Sequence, residues 1–551
     1  MKLFSNRSVI LLGGMLLVCQ MLPSAAQLKR LQLTDSLKIT EVWSGHPVDF
    51  AFVQRGDSQF VACYDRNRKM TVAVRNVASG EVHSVNLPST IGWDSHNYIA
   101  MAFDSEGYLH VSGNMHSSPL VYFRSTSPGD ITTLKSAAMT GSLENSVTYP
   151  VFFRGASGEL LYMHRDGSSG NGNQIFNKWD MAGKKWTRLF DKALFDGQGQ
   201  RNAYMGGPLL GPDGYFHVYW MWRETADAAT THDVGHIRSR DLLTWENAAG
   251  AKVTLPVTVA SKNVLVDVIP EHGGVINRGA VGFDAQQRPI ITYHKFDASG
   301  NTQLYNARWE GSQWKKYQVS DWAYRWNFGG FGSLVMEISF GPVMLEPSGA
   351  LTQTYSHVRY GKGIWQLDEA TLAPIADLGS SLWPEALENP RKQGMVVHWL
   401  RSTGLIGMAG TFLNSTSDPP QDSSTVYALR WETMPENGDQ PRSPVPSPTP
   451  LMLYTFKDPN VATPVAGKAL PQRNCGNAIK LHNGILSTGH SIKGIVTVTV
   501  CDLQGRILVR KNLKEKIRLN LRDLAGSGTS VVTAVAAGKT VFRTVIVNAV
   551  N

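Results

Sequence analysis

The sequence predicts an all-β protein, a seven-bladed β-propeller followed by a small C-terminal β-sandwich domain. Three observations lead there. The 551 residues are too many for one small core, so a large domain with a smaller companion is expected. The 52 glycines and 15 tryptophans, with only 18% charged residues, suit a turn-rich β protein better than a helical one. Above all, one pattern recurs: an apolar run, a polar turn that often contains glycine, then a second apolar run.

The N-terminus precedes the first repeat and reads as a targeting segment. Lys2 and Arg7 give a positive start before a mostly apolar stretch, Val9–Val18, and Ser24-Ala25-Ala26 fits a cleavage site. Residues 1–26 are therefore expected to be a signal peptide, and the protein to be secreted, periplasmic or at the cell surface. Val18 stands before Cys19 where a lipoprotein signal needs a small residue. No later apolar run is long enough to span a bilayer. Cys63, in F-V-A-C-Y, reads as a buried inert thiol. Cys475 and Cys501 are candidates for a disulfide, which spacing alone does not decide.

The repeats then follow in order. D-F-A-F-V-Q-R-G-D-S-Q-F-V-A-C-Y surrounds Gly56, and A-M-A-F-D-S-E-G-Y-L-H-V-S-G surrounds Gly107. Further copies centre on Gly158, Gly214, Gln287 and Gly349, and a weaker one lies near Gly394. A D-x-x-G turn between two short β-rich runs is a hairpin signal. Seven hairpins about 45 to 75 residues apart are a repeat architecture, against which an irregular sandwich fits poorly. A second strand pair often follows, as in Phe176–Trp186, with Trp179 and Trp186 across a Gly183 turn, and in Tyr305–Tyr317. Four strands per repeat make propeller blades. The propeller is expected over 40–433, closing near Tyr427–Trp431.

Residues 434–464 read as a linker, because S-P-V-P-S-P-T-P at Ser443–Pro450 is poor strand material. Residues 465–551 read as a separate β domain. V-T-V-T-V-C-D-L-Q-G-R-I-L-V is an alternating hairpin that turns at Asp502–Gly505; L-R-D-L-A-G-S-G-T-S-V-V-T-A-V and V-F-R-T-V-I-V follow. This region resembles the C-terminal sorting domains of the type IX secretion system of Bacteroidota, which implies a contact with secretion machinery. It departs from them at Gly528-Thr529-Ser530-Val531, where an aromatic usually follows the glycine. A plain β-sandwich accessory domain is the alternative.

The chemistry-bearing residues cluster around the second and third repeats. His96 lies in G-W-D-S-H-N-Y, His116 in G-N-M-H, Tyr149 in T-Y-P and Arg165 in H-R-D-G. In a propeller the strand ends of adjacent blades converge on one central funnel, so these four are expected to meet there. Tyr149 precedes a proline, which favours an extended backbone. The net charge of +9, if gathered on one face, attracts a polyanion. With no nucleic-acid motif in the chain, an acidic polysaccharide is as good a partner as DNA or RNA.

The series D-S-H-N, D-x-x-G-Y-L-H-V-S-G-N-M-H, T-Y-P and R-D-G-S-S-G resembles the seven-bladed propeller polysaccharide lyases, the ulvan lyases, over roughly Trp43 to Trp431. The resemblance implies β-elimination at a rhamnose–glucuronate linkage, with His96, His116, Tyr149 and Arg165 forming the active site. It implies substrate contacts at Asn97, at Tyr204 in N-A-Y-M-G-G and at Arg223 in W-M-W-R-E-T. The chemistry agrees. A lyase takes the C5 proton of a uronate and expels the 4-linked sugar, which requires the carboxylate to be neutralised. Arginine is fixed in charge and pairs bidentately with carboxylates. Neutral histidine accepts a proton near pH 7, and tyrosine can hand one to the leaving oxygen. Sequence leaves open which of His96 and Tyr149 is base and which acid.

Other readings compete. W-S-G-H-P-V-D-F at Trp43–Phe50 resembles propeller α-L-rhamnosidases acting on rhamnosyl-α-1,4-glucuronate, which implies hydrolysis with His46 as the catalytic residue on the opposite face. S-R-D-L-L-T-W at Ser239–Trp245 resembles a degenerate Asp-box of sialidases, a folding turn without catalytic content. A non-catalytic glycan-binding propeller is the non-enzyme alternative. No cofactor is expected. A structural metal ion has weak candidates in His217, His232 and His236, which have no cysteine partners.

Overall fold

A computed structural model describes residues 28–460, except 347, 380 and short stretches between 403 and 423, and the backbone of seven strands between 479 and 548. The chain divides into two compact units, 1–462 and 463–551.

The first unit is a seven-bladed propeller of antiparallel sheets, each of four or five strands. Blade 1 comprises Ala51–Arg55, Ser58–Tyr64, Lys69–Asn76 and Val82–Thr90, in that order from the axis outward. Blades 2, 3, 4 and 5 repeat the meander from inner strands Ile99–Phe103, Val147–Arg154, Asn202–Leu210 and Ala280–Phe283. Blade 6 starts at Ile338–Phe340 and runs out to Pro374–Asp377. The inner two strands of blades 1 to 5 are mostly buried, because they are covered on both faces by neighbouring blades.

The hairpin turns form where the sequence places them. At Gly107, φ is +92°, a conformation open to glycine, and the Asp104 carboxylate accepts the amide hydrogens of Glu106 and Tyr108. In blade 5 the same turn holds Gln287 at φ +61°. Trp179 faces Trp186 across the outer strands of blade 3, with ring centroids 5.3 Å apart. The Asp-box-like turn is structural: Asp241 accepts from the backbone of Leu243 and Thr244, and Trp245 is buried. Cys63 is buried in blade 1, where burial pushes its thiol pKa up.

The last blade departs from the expected boundaries. Its strands run Val396–Arg401, Thr425–Thr433, Thr449–Lys457 and, outermost, Gln32–Val42. The ring therefore starts before residue 40, and the stretch 434–464 carries a propeller strand. The proline-rich run misleads because its last proline lies at the strand's start, where a missing amide is tolerated; Pro450 pairs with Glu41. The first and last strands of the propeller, joined in one sheet, close the ring. The weak seventh hairpin is also corrected. A short helix, Glu385–Glu388, follows Pro384, and the inner strand pairs instead with Thr425–Thr433.

The second unit contains two antiparallel sheets, of three and four strands. Its hairpin pairs Val496–Asp502 with Ile507–Leu513, as the alternation predicts. The cleavage segment, Cys475 and the side chain of Cys501 lie outside the described residues, as does the sorting-domain turn at Asp502–Gly505 in part.

Candidate active site

Three consecutive blades supply equivalent pairs of side chains. In an antiparallel blade the start of the inner strand and the end of the second strand lie at the same end. His96 precedes the inner strand of blade 2, and His116 follows its second strand, Leu109–Gly113. In blade 3, Tyr149 lies at the start of the inner strand and Arg165 in the second, where Thr148 pairs with Arg165. In blade 4, Tyr204 and Arg223 hold the same places, and Asn202 pairs with Arg223.

These pairs converge. The His96 and His116 rings stack with centroids 4.2 Å apart, and Tyr149 lies 6.0 Å from His96. The Arg165 guanidinium sits over the Tyr149 ring at 4.9 Å, and Arg223 over Tyr204 at 4.2 Å. The two tyrosine rings are 6.4 Å apart. The expected extended backbone at Tyr149 is not what forms. Its φ is +60°, and the strand pairing breaks between Thr148 and Val151. A left-handed conformation at a bulky residue costs on the order of 1 kcal/mol, and it occurs where the ring meets His96 and Arg165.

Asp94, which the sequence reading passed over, organises the histidines. One carboxylate oxygen lies 2.7 Å from His96 Nδ1 and the other 2.6 Å from His116 Nδ1. Burial pushes the Asp94 pKa up, but hydrogen bonds from His116 and His96 outweigh it and hold the carboxyl well below its ordinary range. An ionised carboxylate only accepts, so both Nδ1 atoms carry hydrogen, and the lone pair of either ring in its neutral form sits on Nε2. A second carboxylate, Asp439, lies 3.6 Å from His96 Nδ1 and accepts the Ser95 amide at 2.9 Å. It belongs to the stretch expected to be linker. Asp94, His96 and His116 form the one group among the described residues with donors close enough to share a metal ion. Their N···O separations are hydrogen-bond distances, shorter than the roughly 3.3 Å between ligands on a tetrahedral zinc.

Arg165 was expected to line an open funnel, but it is only 1% exposed. Its Nη2 donates to Thr148 at 2.9 Å and Ser117 at 3.3 Å, while Nε and Nη1 have no protein partner. Arg223 donates to Thr231, Tyr204 and Asn277. The Tyr204 hydroxyl also lies 2.7 Å from Ser169 Oγ. Burial raises the Tyr149 pKa above its ordinary value and Tyr204 adds to this, while Arg165 and Arg223 oppose it. Asn97 faces inward: its carbonyl accepts from the Tyr64 hydroxyl, and its side-chain oxygen is buried.

His46 does not occupy an opposite face. It precedes the inner strand of blade 1, and thus lies at the same end as the other histidines. It is 1% exposed, with Trp43 Nε1 donating to its Nδ1 and the Trp93 ring 6.1 Å away. Burial lowers its pKa against the pull of Asp94 and Asp439. Among the three candidate metal histidines, the His217 and His236 nitrogens lie 3.0 Å apart in a hydrogen bond, and His232 pairs with Glu224 and Asp233.

Comparison with known proteins places this site in context. Residues 58–322 match the family described as BNR repeat-containing family member. A curated ulvan lyase, short isoform, from Alteromonas sp. (strain LOR) is 38% identical over 78 residues, a match covering 13% of this chain and 15% of that protein. A solved ulvan lyase of polysaccharide lyase family PL25 superposes with TM-score 0.51 and 15% identity, over 77% of this chain and 96% of its own. The polysaccharide lyase Uly1 gives the same score and identity over 99% of its chain. The propeller thus has the fold of the ulvan lyases. Another structure of the PL25 enzyme holds -[GlcA(1-4)Rha3S]-.

Proposed function

We propose that this protein is a secreted polysaccharide lyase of the ulvan lyase type, cleaving a rhamnose–glucuronate linkage of an acidic polysaccharide by β-elimination. The meeting of His96, Tyr149 and Arg165 carries this reading, since each supplies one requirement of the reaction. His96 donates from Nδ1 to Asp94, so its Nε2 lone pair takes the C5 proton. Tyr149, held protonated by its raised pKa, gives its hydroxyl proton to the leaving oxygen as the C4–O bond breaks and the C4–C5 double bond forms. Arg165, buried beside Tyr149 with Nε and Nη1 unpartnered among the described residues, supplies the positive charge that neutralises the uronate carboxylate. Proton exchange with solvent then resets both groups. His116 and Asp94 fix the orientation of His96. Tyr204 and Arg223 extend the cationic and aromatic surface along the next blade.

Export rests on the N-terminal signal pattern and on the C-terminal domain's likeness to sorting domains. Among the described residues no helix is long and apolar enough to cross a membrane. The test is digestion of ulvan and of gum arabic. Unsaturated uronate, seen by its ultraviolet absorbance, supports the lyase; free rhamnose without it would support hydrolysis; neither product would leave a glycan-binding propeller. His46 Nε2 is buried and unpartnered, as are Arg165 Nε and Nη1, so product analysis and not burial separates the two routes.

A further inference from the structure

The loop between blades 5 and 6 reads W-A-Y-R-W-N-F-G-G-F-G-S from Trp322 to Ser333. Its first half is anchored in the core. Trp322 and Trp326 are buried, the Trp326 amide donates to Thr302, and Phe328 packs on Trp326 with centroids 4.9 Å apart. Its second half leaves the core and is pinned at two points. Gly330 donates to the Asp227 carboxylate at 2.6 Å and accepts from the Ala228 amide at 2.8 Å. Asp227 lies four residues beyond Arg223. Ser333 donates to Asp439 at 3.0 Å, and the same carboxylate holds Ser95 beside His96. The strap therefore runs from the Arg223 side of the site to the His96 side. A side chain on Gly332 would meet the Gly438 carbonyl at 3.3 Å, so the strap also packs closely on the Asp439 loop.

Between the two pins stands Phe331, 84% exposed, the most exposed large hydrophobic side chain among the described residues. A solvent-facing phenyl ring costs hydration free energy, and here its backbone is fixed at both flanks. Chance exposure on a loose loop does not describe this arrangement. An apolar ring on a pinned backbone beside a polar, cationic site suits a pyranose ring, whose axial C–H groups form an apolar face within an otherwise hydroxylated molecule.

We propose that Phe331 is a stacking platform for a sugar ring of the bound polymer, outside the sugar that reacts. This rests on the polysaccharide reading of the site, and it names a specificity-determining contact for long chains. Phe331→Ala should raise KM on ulvan about 3- to 10-fold with kcat nearly unchanged, while Phe331→Trp restores the wild-type KM. Leu243→Ala, an exposed position on a blade-4 turn, serves as control and should change neither. Melting temperatures should be equal for all, since Phe331 contributes little to the core. An unchanged KM in Phe331→Ala, or full function in Phe331→Leu, would overturn the platform. Affinity electrophoresis through ulvan-containing gels separates this from the lyase reading. If wild type forms no unsaturated product, the lyase reading fails, yet stronger retardation of wild type than of Phe331→Ala would still support the platform, and equal retardation would overturn it.

Discussion

At the scale of single residues, the site places Arg165 inside the protein, with no carboxylate paired to it among the described residues. Burying an uncompensated cation opposes folding, so Arg165 is retained against a stability cost. Arg165→Met should hold or raise the melting temperature while lowering turnover by about two orders of magnitude or more, as loss of a charge-stabilising donor does. Arg165→Lys should recover activity only in part, because a point charge lacks the bidentate fork. Near-wild-type product formation in Arg165→Met would remove Arg165 from the reaction. Asp94→Asn offers a hydrogen-bond donor to one of the two Nδ1–H groups that now share the carboxylate, so that ring must turn or shift its proton to Nε2. Turnover should fall at least about 100-fold, measured by unsaturated product. The pH dependence follows from Tyr149. As an acid it works while protonated, and its pKa lies above the ordinary 10.0, so the alkaline limb of kcat/KM that belongs to it lies above pH 10 and disappears in Tyr149→Phe along with most activity. His46→Gln should leave elimination in place, and loss of product there would reinstate His46 as a candidate. The meeting of His96, His116, Tyr149 and Arg165 is legible in sequence because they flank the hairpins of adjacent repeats, whereas Tyr204 and Arg223 are suggested only by the family resemblance. Asp94 was not, because it resembles the many turn aspartates, such as Asp104, that only cap backbone amides.

At the scale of elements, the hairpins were legible and the closure was not. Alternating runs about a D-x-x-G turn report local pairing, which is a property of adjacent residues. The seventh blade pairs Gln32–Val42 with Thr449–Lys457, partners more than four hundred residues apart, and no local pattern encodes that. For the same reason Asp439 escaped notice, lying 343 residues from His96 in a stretch whose prolines suggest a spacer. Yet its carboxylate ties the His96 loop to the Phe331 strap through the Ser95 and Ser333 amides. Asp439→Ala frees both loops and also removes the carboxylate 3.6 Å from His96 Nδ1. Turnover should drop roughly 10- to 100-fold, the usual effect of a small misplacement, with little loss of melting temperature. Unchanged kinetics in this variant would mean that the closing loop plays no part in positioning His96.

At the scale of the molecule, the ring buries several histidines as neutral groups. His164 and His294 are fully buried, and burial lowers each from 6.5 to about 4. Burial also lowers His46, His110 and His236. Between pH 6.5 and about 4 the unfolded chain binds protons that the folded chain refuses, so stability falls as pH falls through this window. Each such histidine contributes a slope of up to about 1.4 kcal/mol per pH unit. Thermal melts should show a steady decline from pH 6.5 downward, and a flat profile would contradict the buried neutral histidines. The central claim concerns the reaction, and digestion of ulvan in oxygen-18 water tests it most directly. Elimination adds no water across the cleaved bond, so mass spectrometry should find an unsaturated uronate at the new non-reducing end and no label fixed by cleavage beyond ordinary exchange at reducing ends. A saturated uronate product formed with uptake of one water per bond cleaved would contradict the account.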